Sequence, residues 1–205
     1  MLPKSCKMPD LSKLDSLIPS LFTAVVGFRG EKLTDNEKVY VRIFARTAQK
    51  AINDYEIARD FLVAQVTAIQ LSKRRKDSGK VLYTMFGFEC QIENCINATR
   101  RLYHILDAVK AEKKNGGKLS LDRQMRKILE SQSKEIIDVR DGVEHIDGII
   151  QKSKPTGSIF LSISDDEEGI ELAGYSVRFI DLALVLTRFH ELARQWLDDF
   201  CMKAS

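Results

Sequence analysis

"TDNEKVYVRIFARTAQKAINDYEIARDFLVAQVTAI" (34–69) decides how this chain is built. Its first four residues have the pattern of a capping box, with Thr34 as N-cap and Glu37 reaching back to the Thr34 backbone. Behind them Val41, Phe44, Ala48, Ala51, Tyr55, Ala58, Leu62 and Ile69 fall three and four apart without a proline. That spacing predicts one helix of about 35 residues, on the order of 50 Å long. The stretch "SKRRKDSGK" (72–80) ends it.

The same rule extends downstream. Met85, Phe88, Ile92, Cys95, Leu102, Leu106 and Val109 form a narrow stripe with Thr99 in one slot, a second long helix packed at a shallow angle. "KAEKKNGGKLS" (110–120) closes it, with Gly116 and Gly117 as punctuation and Ser120 as the next N-cap. A third helix is expected from about Leu121 to Gln151, with Met125, Leu129, Ile136, Val139, Val143, Ile146 and Ile150 facing inward, until "KPTGS" (154–158) breaks it.

There the period changes. "SIFLSIS" (158–164) and "GIELAGYSV" (169–177), separated by "DDEE", read as a β-hairpin. A last helix carries Leu182, Val185, Leu186, Phe189, Leu192, Ala193, Trp196, Leu197 and Phe200 on a wide apolar face. Upstream, residues 1–33 read as an irregular arm with one short amphipathic segment, marked by Leu14, Leu17, Ile18, Leu21, Phe22 and Val25.

The expected fold is therefore mainly all-α: an antiparallel up-down four-helix bundle of long helices, with a β-hairpin at about 158–177 between the third and fourth. Residues 34–205 would form one domain, to which the arm is added. A length of 205 residues allows one sizeable core and is short for two.

Composition narrows the function. Apolar residues make up 44% and charged residues 30%, as in ordinary globular proteins, and a net charge of +3 is too mild to announce nucleic acid by itself. Cys6, Cys90, Cys95 and Cys201 form no CxxC pair and sit at no zinc spacing, which suits reduced thiols in a cytoplasmic protein. "LIPSLFTAVVGF" (17–28) is interrupted by Pro19 and preceded by Asp15, so neither a signal peptide nor a membrane span is expected. No cofactor motif is present.

The one stretch with chemistry in it is "DVRDGVEHIDGI" (138–149). Residues four apart face each other on a helix, so Arg140 pairs with Glu144 and Asp141 with His145, and a charged helix face accounts for all of them. A metal site is disfavoured: Asp138, Asp141 and His145 lie near one side, but the chain has no Glu-x-x-His, and His104 and His190 are isolated.

The third reading is a resemblance. "RDGVEH" (140–145) resembles the signature of the HEPN superfamily: an arginine, a polar Asn or Asp directly after it, and a histidine a few residues on. Here these are Arg140, Asp141 and His145, with Asp in place of the commoner Asn. The extended "RDGVEHID", followed by a hairpin and an amphipathic helix, is similar to uncharacterised bacterial proteins carrying "RNxxEHxD". The motif spans six residues; the architecture, about 35–200.

The resemblance implies a helical, commonly homodimeric protein acting on RNA as a metal-independent endoribonuclease of toxin–antitoxin or defence type, or an inactive RNA-binding relative. It also implies a possible antitoxin or other protein partner. RNA supplies its own nucleophile, the 2′-OH. His145 would then serve as base or acid, Asp141 would orient the imidazole, and Arg140 would hold the phosphate.

Arg140 and His145 are about 140° apart round a regular helix. Either Gly142 permits a local distortion or two copies of the motif complete each other across a dimer; the second is favoured. Lys73, Arg74, Arg75 and Lys76, placed by the bundle at the same end as the motif, would grip RNA. The rival expectation is a non-catalytic helical interaction or scaffold protein, in which Arg140 is clasped by Glu144 and the motif points singly into solvent.

Overall fold

The computed structural model describes residues 5–26, 33–72, 78–145 and 161–199, with the side chains of 25–26, 72 and 78–84 left aside. In chain order these contain α1 (Ile18–Val26), α2 (Asp35–Ser72), α3 (Ser78–Lys114), α4 (Arg123–Glu144), β1 (Ser162–Ile163), β2 (Gly169–Leu172), β3 (Tyr175–Arg178) and α5 (Phe179–Leu197).

This is not a four-helix bundle. The described residues hold five helices and a three-stranded antiparallel sheet in the order β1-β2-β3. The amphipathic piece of the arm is the fifth helix, α1, lying against α2 and α5. The stretch "GIELAGYSV" supplies two strands rather than one, because it turns back at Ala173–Gly174 with Leu172 opposite Tyr175. β1 then pairs with β2 through Ser162↔Glu171 and Ile163↔Ile170. Residues 158–160 of the expected hairpin lie outside the described residues, as do Ile146, Ile150, Phe200, Cys201 and Lys73 to Lys76.

α2 begins as its sequence dictates. The Thr34 N–H donates to Glu37 Oε2 at 2.9 Å, and the Glu37 N–H donates to Thr34 Oγ1 at 3.2 Å. The stripe Val41, Phe44, Ala48, Ala51, Tyr55, Ala58 and Leu62 is buried throughout. Its many alanines let α3 lie close along α2, and that pair forms the spine of the molecule.

α5 closes the core over the spine. Phe44 meets Phe189 edge-on at 5.7 Å and Trp196 at 4.8 Å, Tyr103 meets Phe189 at 5.1 Å, and Phe88 meets Phe179 at 6.3 Å. α4 is fastened to α3 by the Tyr103 hydroxyl, which donates to the Leu129 carbonyl at 3.0 Å. Its N-cap is Asp122, whose carboxylate accepts from the Met125 N–H, and not Ser120. The Ser120 carbonyl instead receives the Trp196 indole N–H at 3.3 Å.

The arm is docked along its described length. Met8, Leu11 and Leu17 are buried. The Leu11 N–H donates to Glu56 Oε1 and the Leu17 N–H to Gln49 Oε1, each at 2.7 Å. The Asp15 carbonyl meets His190 Nε2 at 2.7 Å, while its carboxylate pairs with Arg194 at 3.0 Å. None of the described helices is long and apolar enough to cross a membrane.

Candidate functional site at the end of α4

α4 buries Leu129, Ile136, Val139 and Gly142, a stripe that leaves Glu144 and His145 exposed and Arg140 half-buried. The helix stays regular through Glu144, and His145 caps it with φ −108° and ψ 18°, its N–H donating to the Asp141 carbonyl at 3.0 Å. Gly142 therefore does not break the helix.

Its role is close approach to the sheet. A β-carbon at Gly142 would stand 3.3 Å from Leu172 Cδ2 and 3.3 Å from Tyr175 Cδ2, so the bare backbone is what lets the β2–β3 corner settle on α4. The local distortion at Gly142, one expected route for bringing Arg140 and His145 to one phosphate, is thus absent.

Arg140 is held on two sides. Nη1 donates to Asp141 Oδ1 at 3.1 Å, and Nη2 is ion-paired with Glu144 Oε1, one turn on. The guanidinium is three-quarters shielded, with its side chain 23% exposed, and its Nε is out of contact with water and has no partner among the described residues. The surrounding carboxylates fix the plane of the fork.

Asp141 consequently turns to Arg140 rather than to the imidazole, and its link to His145 is a backbone one. The His145 ring stands exposed at the helix end. The expected Arg140–Glu144 pair is thus present, and the expected Asp141–His145 side-chain pair is replaced by an Asp141–Arg140 one. Of the remaining histidines, His104 is exposed on α3 and His190 is buried against the arm, both away from this cluster.

No three His, Cys, Asp or Glu side chains among the described residues converge as a metal site would need. A buried carboxylate elsewhere in the fold has a tertiary role that its local sequence does not announce. Glu37, besides its part in the capping box, receives the N–H groups of Lys118 and Leu119 from the loop between α3 and α4. Burial pushes its carboxyl up, but the hydrogen bonds from Leu119, Thr34 and Lys118 together hold it below the usual carboxylate range. Nothing in the local sequence marks that second use, since the donors stand eighty residues downstream.

Comparison with protein-family models, with curated proteins and with solved structures returned no match for this chain.

Proposed function

We propose that the protein is a HEPN-like RNA-acting protein that works as a homodimer, with Arg140, Asp141 and His145 of two copies forming one metal-independent endoribonuclease site. The observation supporting this reading is the joint placement of a positioned guanidinium and an exposed imidazole at the solvent-facing end of one helix. A regular α4 aims them apart, so a second copy is the way a single phosphate meets both.

The chemistry needs no cofactor. A His145 imidazole removes the proton from a ribose 2′-OH, whose oxygen attacks the adjacent phosphorus. The P–O5′ bond breaks, and the His145 of the other copy, protonated, delivers a proton to the departing 5′ oxygen. The products are a 2′,3′-cyclic phosphate and a free 5′-hydroxyl. Arg140 stabilises charge on the non-bridging oxygens once the phosphate displaces Glu144 from Nη2. Asp141 keeps the fork in plane during that exchange. The basic stretch Lys73 to Lys76 would add non-specific grip on the strand.

A second reading is favoured by the same clasp. With Nη1 and Nη2 both engaged by carboxylates of the same helix, Arg140 is fully explained as part of a charged surface on a non-catalytic interaction protein. Cleavage of single-stranded RNA in the presence of EDTA separates the two. The nuclease reading expects cleavage that falls about 100-fold or more in His145→Ala and in Arg140→Ala. Equal cleavage by the unmodified protein and His145→Ala removes the imidazole from the mechanism, and no cleavage by either leaves the scaffold reading standing.

A further inference from the structure

Between the two helices of the α2–α3 spine lies a cleft of about 510 Å³ to which, among the described residues, α4 and α5 contribute no lining. That volume is in the range of small-molecule sites. One wall carries Arg46, Thr47 and Lys50 from successive turns of α2, and the other carries Asn94, Asn97 and Arg101 from α3, with the apolar side chains of Ile43 and Ala98 between them.

The hydrogen-bonding capacity of these residues is largely unspent. No carboxylate among the described residues lines the cleft, although the chain as a whole carries 29 acidic residues against 32 basic ones. Lys50 is paired with Asp54 just outside it. Arg46 and Arg101, on opposite walls, have no ion-pair or hydrogen-bond partner among the described residues, nor do the Asn94 and Asn97 amides.

Thr47 makes the same point more sharply. Helical threonines normally turn the hydroxyl back on the carbonyl one turn earlier. Thr23, Thr67, Thr99 and Thr187 all do so, bonding to Pro19, Val63, Cys95 and Ala183. Thr47 makes no such bond among the described residues, and although only 7% exposed it lines the cleft.

We propose that this cleft binds a phosphate-bearing ligand of mononucleotide size: Arg46 and Arg101 close on the phosphate from opposite walls, Thr47 donates to it, and the Asn94 and Asn97 amides take polar edges of the organic part. Two guanidinium forks facing across a groove suit a tetrahedral dianion better than a carboxylate, which one fork alone satisfies. The proposal stands apart from the α4 site and does not depend on it.

Titration calorimetry with adenosine 5′-monophosphate as the probe, inorganic phosphate as competitor and a ten-nucleotide single-stranded RNA as the third arm tests it. Saturable binding of the mononucleotide, displaced by phosphate and weakened about tenfold by either Arg46→Ala or Arg101→Ala, is the expected result. Lys114→Ala, at the far end of α3, should leave the affinity unchanged. Both arginines are exposed and unpaired, so the variants should melt with the parent, and a matched melting curve is the check that they fold. Absence of mononucleotide and phosphate binding, binding insensitive to both arginine substitutions, or a response to the RNA alone would each overturn the proposal.

Discussion

Glu37 ties the start of α2 to the loop between α3 and α4. Glu37 is 1% exposed and accepts N–H groups from its own helix start and from the loop before α4. Glu37→Ala strands those donors, and a loss of about 3 kcal/mol in urea unfolding is expected, against about 1 kcal/mol for Thr34→Ala, which removes only the cap. The pH dependence follows from the same bonds. Because its folded-state proton affinity is depressed, the stabilisation from Glu37 is fully present above the unfolded carboxyl value of 4.5 and is lost as pH falls through the lower folded value. Melting temperatures taken from pH 7 down to pH 3 should therefore fall less steeply for Glu37→Gln than for the parent; parallel curves would show that the carboxylate is not depressed. Gly142 makes the complementary case, since its value lies in an absent β-carbon and not in helix propensity, where it is the worse choice by about 1 kcal/mol.

Among the elements, the β2–β3 turn offers the sharpest test. Ala173 and Gly174 form a two-residue connection with φ of 51° and 87°, the left-handed pair that a type I′ hairpin turn needs. Alanine is strained there, so Ala173→Asn should raise stability by about 0.5–1 kcal/mol, read as a higher melting temperature. This turn also shows where the sequence becomes hard to read. The long helices were legible because α2 and α3 repeat their apolar residues over many turns, and Thr34–Glu37 announces a start by local chemistry alone. "ELAGYS" carries no Asn-Gly or Asp-Gly signal, so two strands looked like one. α1 was legible in part: its apolar spacing marked an amphipathic segment of the arm, but nine residues are too few for periodicity to make that segment a helix in its own right. At the motif, the Arg140–Glu144 pair was legible from i,i+4 spacing, whereas the turn of Asp141 toward Arg140 was not, because adjacent residues on a helix are not expected to face each other.

For the whole molecule, the arm is part of the core rather than an appendage. Leu11→Ala and Leu17→Ala should each cost about 2–4 kcal/mol, while Ile18→Ala next door, at 58% exposure, should stay within about 0.5 kcal/mol. Equal, small effects at all three positions, measured by urea denaturation with unchanged slopes, would show the arm to be loosely held. The spine, by contrast, is local in sequence: α2 and α3 are neighbours along the chain and pack along their length. The contacts that seal it are remote, with Asp15 reaching His190 and Arg194, and Phe44 reaching Phe189 and Trp196. A ribosome therefore releases a paired hairpin of helices long before it releases the segment that completes them. Until residues 179–197 emerge, Phe44 lacks the Phe189 and Trp196 rings that cover it, and the nascent protein must hold that greasy flank open to chaperones, or to its neighbours on the same messenger.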